Sequence, residues 1–306
     1  MKIKALLTAF LLSVTVLAGS TVALAQDDEE VRGAFLTTRP KASSKPKAGA
    51  AQKPSRRRPK QTITKSPNTN NDATAKVVTG PATPSPKAVS PRMGLGLTLF
   101  MRDSNGMAVR TDPTREFQKG DRVRVLLETN ADGYLYIFNT TDGGEPVMIY
   151  PDPELDEAGN YIQAHVPFEI PASTAAEERL RWFVFDQNAG TERLHFVFTR
   201  EPLSGVPMED DLISFCRDNK TKCPWRPASD LWSQIQAEIK EPAQVTKVQG
   251  TGKSQTEAES QAATRGIGLN RDDPEPSLIM LTSSTDKKLL VATLDLNHIA
   301  VAGKTE

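Results

Sequence analysis

The fold of this chain is decided by the stretch Gly133-Tyr-Leu-Tyr-Ile-Phe138, which is apolar at both odd and even positions. Asn130-Ala-Asp-Gly133 leads into it and Asp142-Gly143-Gly144 follows it, and both are rich in turn-forming residues. A short apolar run between two turns predicts a strand that is covered on both faces. The chain therefore contains an inner strand of a β-sheet.

Other segments on both sides of this strand also have strand patterns, most of them with apolar residues at alternate positions. These segments are Leu95–Leu99, Val123–Leu127, Val147–Tyr150, Val166–Ile170, Leu180–Phe185 and Leu194–Phe198. Gly, Pro, Asn and Asp residues punctuate the connections, as is typical of short turns between strands. Together they predict a mainly β fold, an antiparallel β-sandwich over residues 93–205.

Helical periodicity replaces the strand pattern over residues 206–241. Asp210 and Asp211 suit the first turn of a helix, because acidic side chains are favoured there. A second helix is predicted after Pro227, with Asp230 as a candidate cap and an apolar stripe formed by Leu231, Trp232, Ile235 and Ile239.

The remaining C-terminal part divides into two segments. Residues 242–276 are rich in Gln, Thr, Ser and Gly, and this composition predicts a flexible linker. Residues 277–302 contain two apolar runs around the turn Ser283–Asp286, a pattern that indicates a C-terminal β-hairpin. Because an isolated hairpin is marginally stable in water, we expect it to dock on the sandwich or on a partner.

The net charge of zero hides a division of the chain into a basic and an acidic part. Residues 31–92 carry fourteen Lys or Arg residues and one acid, Asp72, whereas residues 93–306 carry 22 Lys or Arg and 33 Asp or Glu. Few residues between Thr37 and Arg92 could build a core. Residues 26–92 are therefore predicted to be a disordered linker rich in Lys, Arg and Pro.

Residues 1–25 have the pattern of a secretory signal peptide. Its parts are a positive start (Lys2 and Lys4), an apolar run (Ala5–Leu17) and a small-residue exit (Ala23-Leu24-Ala25). Cleavage is predicted between Ala25 and Gln26, which implies export to the periplasm or the extracellular space and no stable membrane span afterwards. An uncleaved anchor is the alternative, because Ala5–Ala25 is just long enough to cross a bilayer.

Two cysteines, Cys216 and Cys223, lie seven positions apart. In an exported protein with only two cysteines, a local disulfide is the expected state. The spacing is not that of a redox-active C-x-x-C pair.

No pattern of catalytic, cofactor-binding or metal-binding residues is evident. The nucleophile elbow, the H-E-x-x-H pair and the P-loop do not occur, and His165, His195 and His298 are far apart in sequence. Asp152–Asn160 has oxygen ligands at alternate positions, but Glu157 and Gln163 occupy the places where a calcium loop needs Gly and Glu. The sequence therefore predicts no catalytic residue, no cofactor and no metal.

The basic residues could in principle bind nucleic acid, most of all Arg56-Arg57-Arg58. Aromatic residues are not interleaved with them, and an exported protein does not meet nucleic acid in the cell. An anionic envelope polymer or an envelope protein is the more plausible partner. A soluble spacer that is kept extended by like charges is the simpler interpretation of the same segment.

Several motifs occur together in a fixed order. They are Phe117-x-x-Gly120-Asp121, Gly133-Tyr-Leu-Tyr-Ile-Phe138, Asp142-Gly143, Tyr150-Pro151, Ile170-Pro171, Gly190-Thr-Glu192 and Glu201-Pro202-Leu203. In this order they resemble the bacterial domain of unknown function forty-three eighty-four over about residues 94–205. The resemblance implies a β-rich accessory domain of exported proteins, which in some members stands beside a caspase-like peptidase domain. It assigns no catalytic residue, and a peptidase domain is not recognisable in this sequence.

These observations predict a non-enzymatic interaction module of the cell envelope or the secreted space, carried on a basic linker. A regulatory or substrate-binding accessory domain for a separate peptidase or hydrolase is the alternative. An anchored protein that spans the periplasm is a third possibility, and it requires the signal helix to be retained.

Overall fold

The computed structural model of the protein describes residues 21–42, 91–153, 159–241 and 243–300. The α-helices in these ranges are α1 (Thr21–Leu36), α2 (Asp210–Asp218), α3 (Ser229–Ile239) and α4 (Glu257–Arg265), and Glu178–Arg181 form a short 3-10 helix. The strands are β1 (Gly94–Arg102), β2 (Ala108–Arg110), β3 (Glu116–Phe117), β4 (Arg122–Thr129), β5 (Gly133–Thr141), β6 (Val147–Tyr150), β7 (Tyr161–Ile162), β8 (Phe168–Ile170), β9 (Phe183–Val184), β10 (Gly190–Thr199), β11 (Gln244–Lys247), β12 (Leu278–Leu281) and β13 (Leu289–His298). They form two sheets packed on a common core, so the predicted mainly β sandwich is confirmed.

The two sheets have different strand orders. Sheet A runs β11-β12-β1-β4-β8, with β2 paired to β1 and β9 paired to β4. Sheet B runs β3-β13-β10-β5-β6, with β7 paired to β5. The pairs are antiparallel except for β3 and β13, which are parallel. The long strands β13, β10 and β5 are therefore neighbours in sheet B.

The core between the sheets follows from the two-residue period of the strands. On β5, Leu135 and Ile137 point toward sheet A and are fully buried. The intervening Tyr136 and Phe138 lie on the opposite face of sheet B, where residues of α2 and α3 cover them. Strand β5 is therefore covered on both faces, as its sequence predicts.

A buried group of charged and polar side chains, the Arg39 cluster (Arg39, Glu128 and His165), holds the segment after α1 against the sandwich. Arg39 donates from Nε (2.8 Å) and Nη2 (2.6 Å) to the Glu128 carboxylate, and from Nη1 and Nη2 to the carbonyl oxygens of Asp273 and Pro274. His165 Nδ1 lies 2.7 Å from Glu128 Oε1. Burial alone would raise the pKa of Glu128, but the hydrogen bonds from His165 and Arg39 outweigh burial and lower this pKa below its usual value.

The predicted disordered linker, residues 26–92, is wrong at its start. Residues 26–36 are helical in α1, where Val31 and Phe35 lie one turn apart and pack against Ile279 and Leu281 of β12. One apolar pair in a short segment is too weak a pattern to outweigh the surrounding polar composition, although tertiary packing stabilises it here.

The two ends of the basic segment lie close to the same folded body. Arg92, just before β1, forms an ion pair with Glu30 of α1 at 3.1 Å. The basic segment proper, residues 43–90, and residues 1–20 of the predicted signal peptide lie outside the described residues. The described ends show that residues 43–90 connect two parts of one structure.

The predicted C-terminal hairpin over residues 277–302 is wrong, although both of its strands exist. Strand β12 pairs with β1 and β11 in sheet A, whereas β13 pairs with β10 and β3 in sheet B. The turn between them therefore crosses from one sheet to the other. The ten-residue register of β13 on β10 explains the difference, because a far longer ladder is available there than against the four-residue β12. The sandwich consequently extends well beyond residue 205.

The predicted flexible linker, residues 242–276, is ordered where the structure describes it, with β11 and α4 inside it. Helix α4 begins with a capping box, in which Thr256 Oγ1 accepts from the Glu259 backbone N–H and Glu259 accepts from the Thr256 backbone N–H. It ends at Gly266 in the left-handed conformation (φ 65°). The motif Thr256-x-x-Glu259 is a helix-start signal that composition alone conceals.

Two further findings concern the helices. Cys216 of α2 and Cys223 beyond its end are joined by a disulfide. Of the helices in the described part of the chain, none is both long enough and apolar enough to cross a membrane.

Candidate functional site

A cleft of about 570 Å³, the end cleft, lies at one end of the sandwich between the two sheets. Its apolar floor consists of Val123, Ile149, Phe183, Phe185, Leu194 and Leu296. Its polar wall consists of Asn139, Thr141, Asp142, Asp186, Glu192 and His298, and Asn188 and Ala189 lie at the mouth. This volume falls within the range of ligand-binding pockets.

The cleft forms where the core-facing residues of three neighbouring strands change from apolar to polar. On β13 the core-facing series Leu290, Ala292, Leu294, Leu296 ends at His298. On β5 the series Leu135, Ile137 continues as Asn139 and Thr141, and on β10 the series begins with Glu192 before Leu194. The register places Glu192 opposite Thr141 and Leu296. Polar side chains therefore meet at one end of an otherwise apolar interior.

The Glu192 carboxylate organises this wall. It accepts a hydrogen bond from Asn139 Nδ2 at 2.6 Å and from Thr141 Oγ1 at 2.9 Å. Because Asn139 Nδ2 donates to Glu192, the side-chain amide has a fixed orientation, and its Oδ1 points away from Glu192.

Asp142 completes the rim next to Glu192. The backbone N–H of Thr191 donates to Asp142 Oδ1 at 2.8 Å, and the Asp142 N–H donates to the Thr191 carbonyl at 2.9 Å. A Cβ on Gly190 would lie 2.8 Å from Asp142 Oδ2, so glycine is needed for this close approach. The carboxylate is therefore fixed at the mouth of the cleft.

Two buried polar atoms of the wall have no hydrogen-bond partner in the described parts of the chain. They are Asn139 Oδ1 and His298 Nε2. His298 is only 6% exposed, and the centroid of its ring lies 5.3 Å from the centroid of the Phe185 ring. A buried polar atom without a partner costs roughly 1–3 kcal/mol, so such atoms in a cleft indicate a place where a ligand can supply the missing bonds.

The charge of the end cleft is negative. Among the described residues that line it, three are acidic, Asp142, Asp186 and Glu192, and none is a Lys or Arg. Carboxylates near one another at a mouth attract cations and repel anions. The arrangement can therefore bind a ligand that carries positive charge and hydrogen-bond donors.

The three histidines lie in different places. His165 belongs to the Arg39 cluster, His298 lines the end cleft, and His195 is buried on the outer face of sheet B. Among the described residues, no group of three or more His, Cys, Asp or Glu side chains is arranged to hold a metal ion. The acidic turn Asp152–Asn160, considered as a calcium loop, lies partly outside the described residues.

His195 should make the stability of the protein depend on pH. Burial, followed by the positive charge of Arg193, lowers the pKa of His195 from 6.5 to about 4, and Asp295 offsets this only in part. The unfolded chain therefore binds more protons than the folded chain between these two values, so stability falls as the pH drops from about 6.5 to 4. The loss should reach roughly 3 kcal/mol below pH 4.

Urea unfolding of the wild type and of His195→Gln at several pH values between 7 and 4 tests this expectation. The variant should lose the part of the pH dependence that His195 causes, whereas titrating carboxylates such as Glu128 affect both proteins alike. Parallel pH profiles for the two proteins would show that folding does not lower the pKa of His195.

The remaining sequence-predicted site residues lie outside the end cleft. Cys216 and Cys223 lie at the end of α2 and beyond it, and neither lines the cleft. Ala25 and Gln26, the predicted cleavage site, lie within α1. The end cleft is not predictable from local sequence patterns, because its residues come from strands whose adjacency the sequence does not reveal. One sequence signal could have indicated its polar wall. Each of the three strands has a polar residue at the end of its alternating apolar series, namely Asn139, Glu192 and His298.

The cleft lies largely within a segment that matches a known family. Residues 116–202 match the family model described as Domain of unknown function (DUF4384). This confirms the predicted resemblance, over a shorter range than residues 94–205. The DUF4384 match runs from β3 to beyond β10, so Asn139, Asp142 and Glu192 fall inside it and His298 falls outside. No curated protein and no solved structure matches the chain.

Proposed function

We propose that this protein is an exported, non-enzymatic interaction module of the bacterial cell envelope or the secreted space, and that its partner binds in the end cleft. The observation that carries the proposal is the pair of buried polar atoms without partners, Asn139 Oδ1 and His298 Nε2, in an open cleft of about 570 Å³. A partner that hydrogen-bonds to these atoms recovers the free energy that their burial costs. A packing defect offers no such recovery.

The chemistry of the cleft wall supports binding rather than catalysis. The described part of its lining contains no Ser, Cys or Lys. Glu192 and Asp142 are engaged as hydrogen-bond acceptors within the wall. Thr141 Oγ1 donates to the Glu192 carboxylate, which also accepts from Asn139 Nδ2, so this carboxylate serves to organise the wall.

The basic segment has a second role in this proposal. Because α1 and the residues from Arg92 onward lie on the same body, both ends of the segment 43–90 are attached to the sandwich. The Lys and Arg residues of this segment are the candidates for contact with an anionic envelope polymer. Such a contact would hold the end cleft close to the envelope.

Export implies a defined N-terminus, and we expect the mature protein to begin at Gln26. Ala23 and Ala25 supply the small side chains that signal peptidases require, and the disulfide Cys216–Cys223 suits an oxidising compartment. Intact-mass measurement on protein recovered from the native host tests this. A mass that includes Met1 or the residues up to Ala25 contradicts cleavage at this site.

Capture of partners from the native envelope tests the role of the end cleft. Ala189 is exposed at the mouth, so Ala189→Trp should fill the cleft without disturbing the core. The matched control is Ala176→Trp, at an exposed alanine that does not line the cleft. The wild type and Ala176→Trp should retain the same partner, and Ala189→Trp should lose it.

Equal capture by all three proteins would show that the end cleft is not the binding site. A captured peptidase or hydrolase whose retention depends on Ala189 would favour the accessory-domain alternative over a general envelope module.

A further inference from the structure

We infer that the end cleft binds a basic peptide segment, with a lysine or arginine side chain at the acidic rim and apolar neighbours on the floor. This inference rests on the proposed function and names its ligand. It depends on three features of the cleft: the sign of its charge, the hydrogen-bonding atoms of its wall and the nature of its floor.

The negative charge of the cleft favours a ligand with a positively charged group. Asp142 and Glu192 are held in place by their hydrogen bonds from Thr191 and Asn139, and Asp186 lies on the same rim. Because the described residues that line the cleft include no Lys or Arg, none of them neutralises the acidic charge. An ammonium or guanidinium group at the rim therefore gains attraction from fixed carboxylates.

The apolar floor favours a ligand with an apolar part next to this charged group. Phe183, Phe185 and Leu296 present carbon surface below the rim. The methylene stem of a lysine or arginine side chain covers such surface while its charged end stays at the mouth. A small ion with no apolar part would leave the floor in contact with water.

The unpartnered atoms of the wall favour a peptide over a free alkylamine. Asn139 Oδ1 accepts hydrogen bonds, and His298 Nε2 can donate or accept according to its tautomer. A peptide backbone carries both N–H and C=O groups, so it can donate to Asn139 Oδ1 and can pair with His298 Nε2 in either tautomer. A volume of about 570 Å³ also exceeds what one alkylamine fills and suits several residues.

The test measures binding of three probes to the full-length protein. The two peptides are detected by fluorescence, and the amine is tested as a competitor. The first is the blocked peptide acetyl-Ala-Val-Lys-Val-Ala-amide, the second is the same peptide with Glu in place of Lys, and the third is pentylamine. The lysine peptide should bind, the glutamate peptide should bind at least about tenfold more weakly, and pentylamine should compete only at far higher concentration.

Charge-neutral variants of the rim provide the second arm. Asp142→Asn, Asp186→Asn and Glu192→Gln preserve the size of each side chain and one acceptor oxygen, and each should weaken binding of the lysine peptide about fivefold. The matched control is Asp272→Asn, at an exposed acid that does not line the cleft, which should bind as the wild type does.

Equal binding of the lysine and glutamate peptides, or unchanged binding after neutralisation of all three rim acids, overturns the inference. Binding of pentylamine as tight as that of the peptide assigns the cleft to small amines and overturns the peptide class. If no probe binds while Ala189→Trp still abolishes capture of the native partner, the inference fails and the proposed function stands. If Ala189→Trp has no effect on capture, the proposed function itself fails.

Discussion

Replacing Arg39 with methionine should lower the free energy of unfolding by roughly 3–5 kcal/mol. The Arg39 side chain is fully buried and the Glu128 side chain is 3% exposed. The substitution removes both hydrogen bonds from the guanidinium to Glu128 and leaves that carboxylate buried with His165 as its remaining charged or titratable partner. The carbonyl oxygens of Asp273 and Pro274 lose donors as well.

Urea unfolding measures this loss, with Lys41→Met as the matched control, because Lys41 is exposed two positions further along the chain. The double variant Arg39→Met with Glu128→Met should be more stable than Arg39→Met alone, since it removes the buried carboxylate together with its partner. A loss below about 1 kcal/mol in Arg39→Met would show that the Arg39 cluster does not stabilise the native state.

Replacing Tyr136 with aspartate should also be strongly destabilising, by roughly 3–5 kcal/mol. Tyr136 is fully buried on the outer face of sheet B, beneath the helical layer that contains Leu212 and Ile235. Its hydroxyl accepts from the Leu203 backbone N–H at 3.0 Å and lies 3.1 Å from Met208 Sδ. Aspartate would leave a cavity in place of the ring and would place a carboxylate among apolar side chains.

Tyr136→Phe is the matched control for this substitution. It keeps the ring and removes only the hydroxyl, so it should cost about 1 kcal/mol. Thermal unfolding separates the two variants clearly. An unchanged melting temperature for Tyr136→Asp would place this side chain in solvent and would contradict the packing of α2 and α3 on sheet B.

Local patterns predicted those parts of the fold that depend on neighbouring residues. The apolar run of β5 identified a strand covered on both faces, and the alternation in β4 and β10 identified the core. These features were accessible because side-chain direction in a strand repeats every two residues. The close spacing of Cys216 and Cys223 likewise indicated a local bond.

The missed features depend on pairs that are distant in sequence. In the sequence, Arg39 is one of many basic residues in a polar segment. Its contact with Glu128 exists only in the folded structure. Strands β12 and β13 were recognised as strands, but the choice between pairing with each other and joining different sheets depends on the length of the available partner strands. The end cleft needs both the strand order and the register, because Asn139, Glu192 and His298 come from three separate strands.

The position of β13 in sheet B has a consequence for the order of events during synthesis. Strand β10 lies between β5 and β13 and pairs with β13 from Gly190 opposite His298 to Thr199 opposite Leu289. A ribosome releases β5 and β10 long before β13, and a nascent chain that stops before Leu289 leaves one edge of β10 open. Sheet B therefore closes only once β13 has been synthesised, and until then its exposed edge is a surface on which chaperones or other nascent chains can act.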